Sequence, residues 1–302
     1  MEVIMSTPSQ HHLDVPGASV YYEVRGSGPL LLVVGQPMTS AGFAPLADLL
    51  AEDHTVVTYD PHGVGESTVD DPSLAVTPEI EADDLAYIVD ALGGRMADVF
   101  GSSGGAVAGL ALAVRHPDKV NILIAHEPPV ADVLPDASHV RTAIDGVEDA
   151  YHAYGAGAAW GKFVSAVMYD GPITEAGVPD AEWPPPGSSD EANAEGEGGG
   201  DEAATPPEPS AKQQADDELF FLRMLKPFTR YQPPVELLRS GEPRVIVAVG
   251  AASRGDIAAR SARALAEQLG TAPAVFPGDH GGFMGDPEGF ATKIRELLTE
   301  PS

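Results

Sequence analysis

The 302-residue sequence predicts an α/β protein built on a mainly parallel sheet, and three observations carry that reading. Short apolar runs alternate with segments of helical period from Ser19 to Glu127, the signature of strands joined by crossover helices. Several of the runs are continuous rather than alternating, as strands covered on both faces are. The alternation breaks off after Glu127 and resumes at Arg244, so a long insert interrupts the sheet.

Taken in order, "SVYYEVRG" (Ser19 to Gly26) and "LLLVVG" (Leu30 to Gly35) read as strands, "FAPLADLLAE" as a helix and "TVVTYD" (Thr55 to Asp60) as a strand. A long helix follows from Thr77. Thr77, Pro78 and the acids behind them form its start signal, and Gly93 with Gly94 its stop. Next come a strand through Val99 and Phe100, a helix after Gly104 and a strand in "VNILIAHE" (Val120 to Glu127). The sheet pattern returns with "RVIVAVG" (Arg244 to Gly250), a helix in "RSARALAEQLG", a strand in "PAVFPG" and a last helix from Asp286 to about Glu300. The core therefore spans 1–128 and 241–302, and the insert 129–240. Within the insert "HVRTAIDGVEDAYHAYG", "WGKFVSAVMY" and "DELFFLRMLKPFTRY" read as partly apolar helices. Between them, about 184–214, lies an acidic Pro/Gly-rich stretch with almost nothing to bury, for which the composition predicts disorder.

Charge excludes several functions. The formal net charge is −29, which repels phosphate backbones and anionic headgroups, and no basic cluster offsets it, so neither nucleic acid nor membrane is expected as a partner. Part of the charge is local: Glu182 to Glu218 holds eleven acidic residues against the single base Lys212. The chain has no cysteine, which removes disulfides, thiolate metal sites and a cysteine nucleophile. "MEVIMSTPSQHH" lacks the basic and apolar segments of a secretory leader, and the expectation is a cytoplasmic protein with a small-molecule substrate, no metal and no cofactor. Whether it is a monomer or a homo-oligomer is left open by the sequence.

The chemistry concentrates in "DVFGSSGGAVAG" (Asp98 to Gly109), two serines among glycines between a strand and a helix. A phosphate loop needs a lysine that is missing here, and a dinucleotide fingerprint needs a different glycine spacing. What fits, besides an ordinary glycine-rich turn, is the nucleophile elbow G-x-S-x-G, whose frame Gly101, Ser103, Gly105 selects the second serine. Flanking glycines suit such a turn because its backbone passes too close to neighbours for side chains.

With that elbow the chain resembles the α/β-hydrolase superfamily over almost its whole length outside the insert. The other matches are "VVGQP" after a strand, "DPHGVGES" (Asp60 to Ser67), similar to the family's Asp-x-Arg-Gly-x-Gly-x-Ser turn, and "FPGDHGGF". The resemblance implies an eight-stranded, mainly parallel sheet with a helical cap inserted after the sixth strand. It also implies Ser103 as nucleophile, His280 as base, and the backbone amides of Gly104 and Gln36 as oxyanion donors, Pro37 having no N–H. His62 stands where relatives carry arginine and suits a turn-stabilising hydrogen bond. His126 ends a strand but yields that corner to its neighbour, and His54 and His116 read as surface residues.

The acid is the open point. The family's common place for it, Gly-x-x-Asp after "RVIVAVG", reads Gly250-Ala251-Ala252-Ser253 here. Some relatives carry the acid one strand earlier, which selects Glu127. Asp256 is the second choice, and no acid at all the third. The expected activity is hydrolysis of an ester, lactone or thioester through an acyl-enzyme. Two alternatives are a different reaction on the same scaffold, such as C–C hydrolysis or cofactorless perhydrolysis, and a ligand receptor without turnover. Trp160, Phe163, Met168, Phe220, Phe221, Met224 and Phe228 serve either as pocket lining or, at helical spacing, as the core of the cap.

Overall fold

A computed structural model describes residues 7–94, 96–179 and 209–300. Its strands are β1 (Ser9–Val15), β2 (Ala18–Gly26), β3 (Leu30–Val34), β4 (Thr55–Tyr59), β5 (Thr68–Val69), β6 (Ala97–Ser102), β7 (Val120–His126), β8 (Arg244–Gly250) and β9 (Ala274–Phe276). They form one sheet in the order β1-β2-β4-β3-β6-β7-β8-β9, with the two-residue β5 on β2. Pairing is antiparallel among β1, β2, β4 and β5 and parallel from β4 through β3 to β9. Among the described residues eight strands form the path, as expected, and the two-residue β5 adds a ninth; β1, an exposed edge strand, is not among the runs read from the sequence. β5 is too short to leave a pattern, and β4 lies between the sequential strands β2 and β3.

Continuous apolar runs are explained by the two cores. In β3, Leu31 and Val33 face one core while Leu32 and Val34 face the other, and Ile122, Ile124 against Leu123, Ala125 in β7 divide the same way. One layer is made by α1 (Ala44–Leu50) and α11 (Pro287–Thr299), through Leu46, Leu50, Phe290 and Ile294. The other is made by α2 (Pro78–Ala91), α3 (Gly104–Arg115) and α9 (Ile257–Leu269), through Leu85, Ile88, Leu110 and Leu265. Each such side chain, fully buried, contributes about 1.5–3 kcal/mol. Thr77 caps α2 as its position predicts, its Oγ1 accepting from Ile80 N at 3.4 Å. After the one-turn helix α10 (Gly282–Gly285), Asp286 caps α11 by accepting from Gly289 N at 2.9 Å.

Helices fill the insert between β7 and β8: α4 (Ala137–Tyr154), α5 (Ala156–Val167), α6 (Ala211–Leu219), α7 (Leu225–Thr229) and α8 (Val235–Ser240). α6 begins at Ala211 because the Ser210 hydroxyl accepts from Gln213 N at 3.1 Å, so 211–214 are helical rather than disordered. The rest of that acidic stretch, 184–208, lies outside the described residues. Between α6 and α7, Phe220–Met224 widens into a π-helical turn. Pro227 has no N–H for the Arg223 carbonyl one turn back, and that carbonyl instead accepts Val76 N at 3.1 Å, which ties the insert to the core. Trp160, Phe163, Phe220 and Phe221 pack ring on ring; Phe220, Phe221, Met224 and Phe228 are buried in the same core as α2 and α3, and Trp160 and Phe163 are half-buried against it. Met168 is the exception, exposed on the surface. Among the described residues no helix is long and apolar enough to cross a membrane.

Candidate active site

β6 and β7 are parallel neighbours, in register from Val99 with Leu123 to Ser102 with His126. Each runs one residue past its end into a left-handed backbone: Ser103 has φ 57° and Glu127 φ 48°, the two non-glycine residues with positive φ among those described. Such conformations cost about 1–3 kcal/mol and persist where surrounding bonds impose them. Here Ser103 N donates to His126 O at 3.0 Å, and Glu127 N to Ala248 O at 3.0 Å. Both side chains are thereby turned out of the strand direction at the carboxyl edge of the sheet, where ligands bind in open α/β folds.

The glycines of the turn are there for space. A Cβ on Gly101 would lie 2.6 Å from Gly105 O, and one on Gly105 2.3 Å from Val34 O. On Gly104 it would lie 2.2 Å from Gln36 Oε1 and 2.9 Å from Gln36 O, so Gln36 and Gly104 are in direct contact. Gly104 is the first residue of α3, where an amide has no intrahelical acceptor and the helix dipole is positive. Gln36 is buried, and its Nε2 has no partner among the described residues.

His280, on the turn after β9, meets Glu127 across a separation of 153 residues: Nδ1 lies 2.7 Å from Glu127 Oε2. Gly250 N donates to the other carboxylate oxygen at 2.9 Å. Burial raises the proton affinity of Glu127, but the bond with His280, the nearby His126, the Ser253 hydroxyl and Gly250 N outweigh it and hold the pKa at about 2. The carboxylate is therefore ionised at any working pH, and an anion facing Nδ1 keeps the proton there. No hydrogen bond joins Ser103 to His280 in the structure; such bonds commonly close only when substrate is bound.

Asp256 is placed elsewhere. Its carboxylate accepts from Ala259 N at 2.9 Å as the N-cap of α9. Ser253, in the vacant Gly-x-x-Asp place, lies buried beside Glu127. His62 bonds Asp84 at 2.8 Å, and Asp60 accepts from Ser40 N, Ser40 Oγ and Glu66 N, so the "DPHGVGES" turn is held from inside. His116 pairs with Asp83 and is half-buried. His54, contrary to expectation, is buried. His126, set aside on sequence grounds, is fully buried directly behind the site, and no local signal distinguished it from a core residue. Among the described residues no group of three or more histidine and acidic side chains could hold a metal.

Residues 28–171 match the family model of the alpha/beta hydrolase fold. The uncharacterized hydrolase YraK of Bacillus subtilis is 29% identical over 292 residues, 95% of this chain and 94% of that protein. An alpha/beta hydrolase from Sphaerobacter thermophilus superposes with a TM-score of 0.64 at 26% identity, covering 96% of this chain and 100% of the other. A malate-bound thermophilic esterase from Thermogutta terrifontis superposes with a TM-score of 0.67 at 20% identity, covering 97% and 98%.

Proposed function

From a chain that belongs to the alpha/beta hydrolase fold superfamily, we propose a serine hydrolase that cleaves an ester, lactone or thioester bond of a small, largely apolar molecule. The observation that carries this reading is the contact between the buried Glu127 and the half-exposed His280 at the same sheet edge as the strained Ser103. In this mechanism Glu127 holds the proton on His280 Nδ1, which leaves Nε2 with a lone pair directed at the Ser103 hydroxyl. Ser103 Oγ attacks the substrate carbonyl as its proton passes to Nε2. The imidazolium that forms is stabilised by the Glu127 anion, and the oxyanion by the amides of Gly104 and Gln36, each worth about 2.7–4 kcal/mol. Collapse of the intermediate expels the alkoxide, thiolate or ring oxygen, which takes the proton from Nε2 and leaves Ser103 acylated. Water, deprotonated by the same nitrogen, then releases the acid and restores the serine.

The insert 129–240 acts in this reading as a cap over the carboxyl edge of the sheet, and its position between β7 and β8, directly after Glu127, supports that role. The non-catalytic receptor rested on the missing acid of Gly-x-x-Asp, and Glu127 beside His280 supports the hydrolase reading over it. Fluorophosphonate labelling tests the proposal: stoichiometric modification at Ser103, abolished in Ser103→Ala, is expected, and an unlabelled protein refutes it. A series of p-nitrophenyl esters of increasing acyl length beside a panel of lactones then defines the substrate.

A further inference from the structure

His280 is poorly held for a group that must meet a hydroxyl in one orientation. It stands on a turn, its side chain is 40% exposed, and Nδ1 is its hydrogen-bonded atom. One hydrogen bond fixes one ring edge and lets the ring swing about it. The second contact is a ring face: the imidazole of His126 lies with its centroid 6.3 Å from that of His280, the planes inclined by 27°.

His126 is built as a rigid wall. It is the last residue of β7, with no exposed surface, and its position in the strand alternation turns it toward the core of α1 and α11. Phe276 and Phe290 meet it edge-on at 5.5 and 5.4 Å, and Phe100 stacks at 6.2 Å. Its Nδ1 lies 3.2 Å from Ser102 Oγ, the residue before the elbow serine, while its backbone oxygen accepts Ser103 N. Nε2 is buried without a partner among the described residues. The ring is therefore held by the packing around it and by the Ser102 contact, not by a bond from Nε2.

We propose that His126 is a positioning residue for His280: its ring, tethered to Ser102 and walled in by three phenylalanines, is the face against which the His280 ring rests while Glu127 fixes the edge. This rests on the serine-hydrolase reading for its consequence in rate, but the geometric claim stands apart from it. The wall must be uncharged to sit behind a ring that becomes an imidazolium. Glu127 and His280 are the titratable groups that act on it, and burial, reinforced by His280 against the opposing effect of Glu127, brings the pKa of His126 down to about 4.

The test compares His126→Ala, which removes the wall, with His126→Phe, which restores a flat ring, using the full chain. In wild type, carbon-13 relaxation of the ring is expected to show His280 in one fixed orientation. His126→Ala should lose that fixed orientation and lower kcat on an activated ester by about ten- to a hundred-fold, with KM within about two-fold, since a misplacement of 1 Å can cost about 10²-fold. His126→Phe should recover the orientation and most of kcat. Equal rates in all three proteins, or equal losses in the two variants, would overturn the inference. So would rapid averaging of the His280 ring orientation in wild type, a result that needs no variant to fold and no substrate. If Ser103 fails to label while His280 loses its fixed orientation in His126→Ala alone, the hydrolase reading fails and the positioning role is upheld.

Discussion

Replacing Glu127 by glutamine removes the charge and little else. The carboxylate accepts two donors, Gly250 N at 2.9 Å on Oε1 and His280 Nδ1 at 2.7 Å on Oε2. A glutamine has one oxygen and one NH₂, so it satisfies only one of them. With the oxygen on Gly250 N, the NH₂ faces His280 and selects the tautomer with its proton on Nε2, which has no lone pair for the Ser103 proton. If His280 keeps Nδ1–H, the imidazolium still forms without its anion. The expected loss in kcat is about 10⁴-fold, or roughly 5.4 kcal/mol at 1.36 kcal/mol per tenfold. Saturating substrate does not recover it, because the lost interaction acts in the transition state. Asp256→Asn is the control: asparagine caps a helix about as well as aspartate, so turnover and stability should stay near wild type. The assay is kcat on one p-nitrophenyl ester at neutral pH, with circular dichroism of each variant and Ser103→Ala as baseline. Near-normal turnover in Glu127→Gln with collapse in Asp256→Asn would refute the reasoning, and near-normal turnover in both would mean that no carboxylate supports His280.

Three further outcomes are expected. Ser103→Ala should abolish ester hydrolysis while Ser102→Ala keeps it within about three-fold, because Ser102 acts only through the His126 tether; comparable losses would remove Ser103 from its role. Gly105→Ala should destabilise by about 1–3 kcal/mol in urea unfolding, since the new Cβ would meet Val34 O at 2.3 Å and backbone cannot yield as a side chain does; an unchanged midpoint would contradict the close approach. Glu81 is fully buried, and burial, with Asp84 adding to it and the 2.5 Å bond from Tyr59 opposing it, raises its pKa to about 8. The unfolded chain releases this proton near 4.5 and the folded one only near 8, so stability is full below the lower value and declines as pH rises between them, by about 4–5 kcal/mol at 1.36 kcal/mol per unit. Glu81→Gln should flatten that decline in denaturation midpoints from pH 5 to pH 8, and an unaltered slope would assign it to other groups.

The order of strands and helices was legible in the sequence because it is written in local terms: apolar runs, the cap at Thr77 and the glycines at 93 and 94. The elbow was legible for the same reason. Gly101, Gly104 and Gly105 are demanded by atoms within a few ångströms of the turn, so their spacing carries the geometry with it. Sheet order was not legible, since nothing in β2 or β3 tells either that β4 lies between them, and β5 is too short for any period. The partner of His280 belongs to the same class. Glu127 and Asp256 each follow a strand and carry the same charge, and the sequence ranks them only by resemblance. The difference lies in the pairing of β7 with β8, which sets Glu127 against Gly250 N and His280, while a helix start claims Asp256 through Ala259 N. His126 shows the same limit. Along the chain it is one more buried residue of a strand, and its contact with His280 exists only because β6, β7 and β9 bring Ser102, His126 and Phe276 together in space. Local contacts are fixed by neighbours in sequence, whereas a site assembled from strand ends depends on the register and order of the whole sheet.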